Sequence, residues 1–357
     1  MNAELHDYLR RMVDANASDL FFSVGAPPAL KIDGRISPLG PVVLSAEAVD
    51  ALARQAMNER QQREFEETME MNLAIDMPGA GRFRINLPPV LHDLALLPRG
   101  LVLVVGAAGA GKSTTLASMI DHLNLQKAVH VITVEDPIEY LHAHKKSIVD
   151  QREVGLDTRS YANALRNTMR EAPDVLMIGE IRDQETMQAA IAYAETGHLC
   201  LATLHANNAN QALDRIQNFF PADARDQLWM DLSLNLKAMI AQQLIPTVDG
   251  QGRRAAVEIL INTPLVSDII RKGEVHALKE LMERSTELGM QTFDQSLYQL
   301  YCDGVISYEH ALSYADSQNN MRLMIKMGTQ TGGLGRAAGL SIDDTTENTG
   351  QFFGKRP

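Results

Sequence analysis

Leu101 to Ser113 reads LVLVVGAAGAGKS, and the rest of the chain is organised around it. Five apolar residues of strand type run into Gly106, and Gly106, Gly111, Lys112 and Ser113 then satisfy G-x-x-x-x-G-K-[ST]. Gly106, Ala107, Ala108, Gly109, Ala110 and Gly111 supply backbone N–H groups that can turn inward around phosphate oxygens. Lys112 reaches the β/γ-phosphates, Ser113 offers a hydroxyl to Mg²⁺, and Thr114 closes the set. A helix begins there (STTLASMIDHLN), so its positive N-terminal end also faces the phosphates. The stretch implies a site for ATP or GTP.

Composition bounds the remainder. With 357 residues, 45% hydrophobic and 22% charged, the chain has room for two globular domains. No apolar run approaches the ~20 residues of a membrane span, and the N-terminus lacks the basic-then-apolar order of a signal peptide. Cys200 and Cys302 show neither metal spacing nor a disulfide framework, and both read as buried small hydrophobes in a reducing cytosol. The formal net charge of −12 disfavours nucleic acid, which is gripped through basic stripes. The dense basic pairs, Arg10-Arg11, Lys145-Lys146 and Arg253-Arg254, read as solvated faces.

Residues 1–86 predict a small α/β unit. It opens with an amphipathic helix (Leu5, Leu9, Met12, Val13), followed by strands in SDLFFSV and PALKID and a helix from Ser45, its N-cap, to Met57. Two further strand-like pieces, NLAIDM and GRFRIN, flank Pro78-Gly79. A 14-residue connection, 87–100, holds Pro88, Pro89 and a short apolar helix.

From Leu101 to about Phe220 strands and helices alternate, which argues for a parallel sheet wrapped by helices. The expected strands are LVLVV, VHVITV, DVLMIG and LCLATL; the expected helices are 113–124, 160–171 and 183–196, the last capped by Asp183 and stopped by Gly197. Ligands of such sheets sit beyond the carboxyl ends of the strands. There the sequence places Glu135, Asp136 and Glu139 after one strand, Glu180 with Arg182 after the next, and His205 after the third. Glu180 has the form of the acid that holds the Mg²⁺ shell or polarises the attacking water. Glu139 is the candidate for orienting that water, and His205 for sensing the γ-phosphate. Residues 222–327 read as mainly helical: a long helix through Leu228 to Leu244, a hairpin-like DGQGRRAAVEILI, then three short helices. Residues from Gly328 onward read as a disordered tail.

The phosphate loop, ITVEDPIEY, DVLMIGEIRD and LATLHANNA occur in the order of the Walker A loop, Asp box, Walker B and His box of the type II/IV secretion ATPases. The chain resembles that family, and more closely its PilT/PilU branch, which powers pilus retraction. SDLFFSVGAPP, KSIVDQREVGLDT, GRRAAVEILI and GMQTFDQSLYQLY share the likeness.

The resemblance implies an α/β architecture. A PAS-like N-terminal domain (1–86) precedes a RecA-like P-loop ATPase core (101–262) and a C-terminal helical subdomain (263–327). It implies a homo-hexameric ring, cytoplasmic and peripheral at the inner-membrane base of the pilus, with ATP and Mg²⁺ as ligands. A PilT-like retraction ATPase and the platform protein of the pilus machine are the implied partners. It assigns water activation to Glu139, the Walker B acid to Glu180, and the His box to His205. Arg82 and Arg84 match arginines that reach the nucleotide from the N-terminal domain.

Two departures stand out. The chain passes from FRIN directly to LPPVL, where the family has further strands, another arginine and a linker; this is either a genuine deletion or a stretch missing from this sequence. The PilT signature AIRNLIRE is replaced by LVSDIIRK, Leu265 to Lys272, which points to the PilU side, an accessory motor. The alternative readings are a DNA-handling RecA-like ATPase and a nucleotide-bound structural adaptor of the pilus base.

Overall fold

A computed structural model describes residues 3–15, 17, 19–32, 35–56, 88–250 and 252–334. NLAIDM, GRFRIN and with them Arg82 and Arg84 lie outside the described residues.

The N-terminal unit contains α1 (Ala3–Asp14), an antiparallel sheet β1-β2-β3 (Asp19–Phe21, Ala29–Ile32, Arg35–Pro38) and α2 (Ala46–Ala56). Leu5, Leu44 and Leu52 are buried at its centre, with Tyr8 packed edge-on against Phe22. The Ser45 hydroxyl accepts from the Ala48 amide, so α2 starts where the cap residue predicts.

After α3 (Pro89–Ala95) the core begins with β4 (Gly100–Val105) and α4 (Lys112–Gln126). It continues through β5 (His130–Glu135), β6 (Ile148–Glu153), α5 (Tyr161–Thr168), β7 (Val175–Ile178), α6 (Gln184–Glu195) and β8 (Leu199–Leu204). The seven-stranded sheet has the order β10-β9-β4-β8-β7-β5-β6; all neighbours are parallel except the last-formed pair, β9 (Leu236–Pro246) with β10 (Arg253–Ile261). Parallel strands covered on both faces must be apolar throughout, and β4 and β8 are buried at every residue. The pleat still alternates: Leu101, Leu103 and Val105 join the core under α5, α6, α7 (Ala209–Asn218) and α8 (Arg225–Asn235), whereas Val102 and Val104 face α3 and α4. Each such side chain contributes about 1.5–3 kcal/mol by leaving water. Asp183 caps α6 through the Thr186 amide at 2.9 Å, and Gly197 ends it at φ +97°.

The long helix expected over Leu228 to Leu244 does not form. The chain leaves α8 at Asn235 and runs on as β9, inserted between β4 and β10. The reason is topological: a run buried on both faces carries no periodicity that separates helix from strand, and β4 would otherwise expose an edge. Asn262 donates to the carbonyls of Ser233 and Leu236 at 2.9 and 2.8 Å, satisfying the end of α8 where the chain changes direction. The hairpin read at DGQGRRAAVEILI is therefore the return arm of β9.

Among the described residues five α-helices follow, not three: α9 (Pro264–Arg271), α10 (Leu278–Glu283), α11 (Phe293–Cys302), α12 (Tyr308–Tyr314) and α13 (Gln318–Leu334). Helix α13 runs beyond Gly328, and 335–357 lie outside the described residues. Phe293, Leu297, Ile306, Ala311 and Met321 pack with Ile245 and Ala256 of the β9–β10 pair. Cys200 is buried as expected, but Cys302, at the end of α11, is exposed.

Candidate functional site

The phosphate loop leaves β4 at Gly106, whose amide donates to the Leu204 carbonyl of β8 at 3.3 Å. A Cβ on Gly106 would lie 2.7 Å from the Gln242 carbonyl oxygen and 2.9 Å from the Ala110 Cβ, so the backbone can pass there only as glycine. Gly111 is the N-cap of α4 at φ +86°, and no side chain caps that helix. The first N–H groups of a 15-residue helix thus open toward the loop, the arrangement that accepts phosphate. Gln242 of β9 closes the loop from behind. Its amide nitrogen donates to the Ala110 carbonyl at 2.6 Å, and its oxygen accepts from Thr115 at 2.7 Å.

Four strand ends converge on this loop. Lys112, largely buried, donates from Nζ to the Ala107 carbonyl at 3.0 Å and approaches His205 Nδ1 at 3.3 Å. Burial lowers its pKa, opposed by the charges of Glu180 and Glu139. His205, just after β8, places Nε2 3.0 Å from Glu180 Oε1, and its Nδ1 also lies 3.3 Å from the Gly106 carbonyl. With its proton on Nε2 the ring donates to Glu180 and its Nδ1 accepts from Lys112. Glu180 is held from its other oxygen by Arg182 Nε at 2.6 Å, and Arg182 reaches on to Asp136 at 3.4 Å. Lys112, Glu180 and His205, assembled from three strand ends, thus form one continuous polar chain.

Glu139 stands exposed on the loop after β5 and borders the cleft. That loop contains a cis Asp136–Pro137 bond and is pinned by two buried acids. Glu135 accepts from Thr133, Gln151 and the Glu139 amide, and Glu153 accepts from the Ile138 amide at 3.0 Å. Burial raises the Glu135 pKa. Of the acidic trio after β5, Glu135 is therefore a brace, and Glu139 is the carboxylate open to the cleft. Tyr140 joins the loop to α4 through Thr114 at 2.8 Å.

The cleft measures ≈ 1110 Å³. The glycine loop, Lys112 and Glu180 line it, together with Met12 and Val13 of α1, Leu244 and Arg253. Arg253, read from sequence as part of a solvated face, borders the site instead. Its position depends on the β9–β10 register, in which Arg253 pairs with Pro246, and no reading that makes β9 a helix can place it. Gln242 was hidden for the same reason. Arg82 and Arg84 lie outside the described residues.

The glycine loop suits a polyphosphate, and the Ser113 hydroxyl and Glu180 carboxylate, which line the same cleft, are the hard oxygen donors that suit Mg²⁺. A parallel sheet presenting this loop, with acids and a histidine on the neighbouring strand ends, defines a P-loop nucleotide-binding core of the RecA-like kind.

The comparisons agree. Residues 68–312 match the profile of the family described as Type II/IV secretion system protein. The type IV pilus ATPase PilU of Pseudomonas aeruginosa is 56% identical, over 92% of this chain and 93% of the relative. The retraction ATPase PilT of the same organism is 39% identical, over 85% and 96%. A crystal structure of the pilus retraction motor PilT with bound ADP superposes with a TM-score of 0.76 at 38% identity, covering 90% of this chain and 99% of that one. The ATPase DotB of Legionella pneumophila, 24% identical, shares the fold with a TM-score of 0.73 over 87% of this chain and 95% of that one. The chain belongs to the type II/IV secretion ATPase family, within its PilT/PilU branch.

Proposed function

We propose that this chain is an ATP-hydrolysing motor of type IV pilus retraction, working as a closed ring of six and as an accessory to a PilT-like ATPase. The observation that carries the reading is the convergence of Lys112, Glu180 and His205, linked at 3.0 and 3.3 Å, beside the glycine loop. The similarity to PilU and PilT supplies the pilus context.

The residues divide the work as phosphoryl transfer requires, by positioning and charge neutralisation. Gly106 to Gly111 wrap the phosphates with backbone N–H groups. Lys112 exchanges the Ala107 carbonyl for the β/γ-phosphate oxygens. Ser113 and Glu180 would hold Mg²⁺, partly through water, and the ion would supply neutralisation of charge at the phosphates. Glu139 orients the attacking water. His205 reports on the γ-phosphate to the residues after β8, and Arg253, Arg82 and Arg84 meet the outer charge of the nucleotide. The accessory role rests on α9. Its Asp268 pairs with Arg271 and Lys272 of the same helix segment at 2.6 Å each, and Leu265 is exposed. That surface differs in charge from AIRNLIRE and therefore selects different contacts.

The domain division follows: 1–86 N-terminal, 87–100 linker, 101–262 ATPase core and 263–327 C-terminal helices, with α13 carrying the chain on to Leu334. The test is ATP turnover by the purified chain with and without Mg²⁺, and light scattering with an ATP analogue. Turnover abolished by Lys112→Ala and a hexameric mass support the reading; a strict monomer or Lys112-independent turnover overturns it.

A further inference from the structure

Glu258, in the middle of β10, is buried with its carboxylate far from solvent, and the nucleotide chemistry makes no use of it. Its Oε1 accepts from the Ala209 amide, the first residue of α7, at 2.7 Å. The same carboxylate accepts from the Phe293 amide, the first residue of α11. The opening N–H of a helix has no partner within its own helix, and a carboxylate there also meets the positive end of the helix dipole. One buried anion therefore serves two helix N-termini that belong to different parts of the chain.

Each terminus leads somewhere. Ala209 follows His205 by four residues, through the cap residue Asn208, whose side chain accepts from Gln211 at 2.9 Å. Phe293 opens α11, the centre of the C-terminal helical cluster. Next to Glu258 on β10, Ile259 exchanges two backbone hydrogen bonds with Gln291, at 2.8 and 3.0 Å, so the start of α11 is fixed to the strand that carries the acid. The α7 side has only the carboxylate contact to β10 at this point among the hydrogen bonds of the described residues.

We propose that Glu258 is a positioning residue that couples the His205 loop to the C-terminal helices: movement of α7 as nucleotide enters and leaves is passed through its carboxylate to α11. The inference rests on the proposed nucleotide chemistry and adds a route by which that chemistry reaches the C-terminal helices. The charged groups around the acid fit such a relay. Lys279 of α10 lies 3.5 Å from Asp294 of α11 and 2.9 Å from Asp316, whose amide donates to Asp294 at 2.8 Å. Asp316 raises and Lys279 lowers the tendency of Glu258 to hold a proton, while burial is the largest influence and brings its pKa up to about 7. The carboxylate therefore exchanges between one strong acceptor state and a weaker one near neutral pH.

Amide-resolved hydrogen exchange of the full chain, with and without a non-hydrolysable ATP analogue, tests this. The expected result is that the analogue changes exchange at Ala209 and Phe293 together, in the same direction and by about fivefold or more. In Glu258→Gln, which keeps volume but not the anion, nucleotide affinity is expected to persist while the response at Phe293 falls below about twofold. An unchanged response in Glu258→Gln overturns the proposal. So does a wild-type chain that binds the analogue with no change at Phe293, a result that stands even where the variant does not fold. Failure of the wild type to bind the analogue at all removes the nucleotide reading itself, and the coupling with it.

Discussion

Gln242→Leu isolates the part of the site that no motif announces. The side chain is buried and makes two hydrogen bonds, to the Ala110 carbonyl at 2.6 Å and from the Thr115 hydroxyl at 2.7 Å. Leucine fills much the same volume and makes neither. Each buried partner left unsatisfied costs about 1–3 kcal/mol, so the two together cost the folded state about 2–6 kcal/mol. Thr115 can turn its hydroxyl to a backbone carbonyl of its own helix, which brings the expected loss toward about 3 kcal/mol. The Ala110 carbonyl has no such escape, so the glycine loop loosens where it turns into α4. The assay has two arms: denaturant unfolding without nucleotide, and nucleotide binding by isothermal titration. The expected outcome is a fall in unfolding free energy of about 3 kcal/mol together with at least about tenfold weaker binding. Stability within about 0.5 kcal/mol of wild type with unchanged affinity would refute the idea that β9 holds the loop.

Glu180→Gln should retain ATP while turnover falls at least ~100-fold, read by single-turnover kinetics beside equilibrium binding. Arg253→Ala should raise KM for ATP by about tenfold with a smaller change in kcat, since the arginine lines the cleft and makes no contact with Lys112, Glu180 or His205 among the described residues; a kcat loss without a KM change would move it to the chemistry. Glu258 makes stability depend on pH in a defined direction. Its folded pKa, about 7, lies above the ordinary glutamate value of 4.5, so its contribution is fully present below about 4.5 and is lost as pH rises through about 7. The unfolding free energy of wild type relative to Glu258→Gln should therefore fall by about 3 kcal/mol across that window, and a flat difference would contradict the buried position of the acid.

The legible and illegible parts of the chain divide along physical lines. Strand β4, the glycine loop and α4 could be read because the loop needs glycine at Gly106 and Gly111 for reasons local to the backbone. The helix α6 could be read because Asp183 and Gly197 are local stop signals. Glu180 and His205 followed from the rule that parallel strands deliver chemistry at their carboxyl ends. Their mutual contact at 3.0 Å depends on β7 and β8 being neighbours, which a sequence does not state. The segment from Leu236 to Pro246 was misread because it is buried on both faces, and apolar periodicity then carries no secondary-structure information. Without that strand three residues cannot be placed: Gln242 within it, and Arg253 and Glu258 on its antiparallel partner. Glu135 and Asp136 show the opposite limit. Adjacent acids looked alike in sequence, and only burial separates the brace from the group that meets Arg182.

In the proposed function, ATP turnover at the Lys112, Glu180 and His205 site drives pilus retraction together with a PilT-like partner. Retraction force on single pili tests it most directly, in cells whose only copy of this chain carries Lys112→Ala and whose PilT-like ATPase is intact. The account predicts a force reduced to that of cells lacking the chain altogether. Retraction force equal to wild type would contradict it.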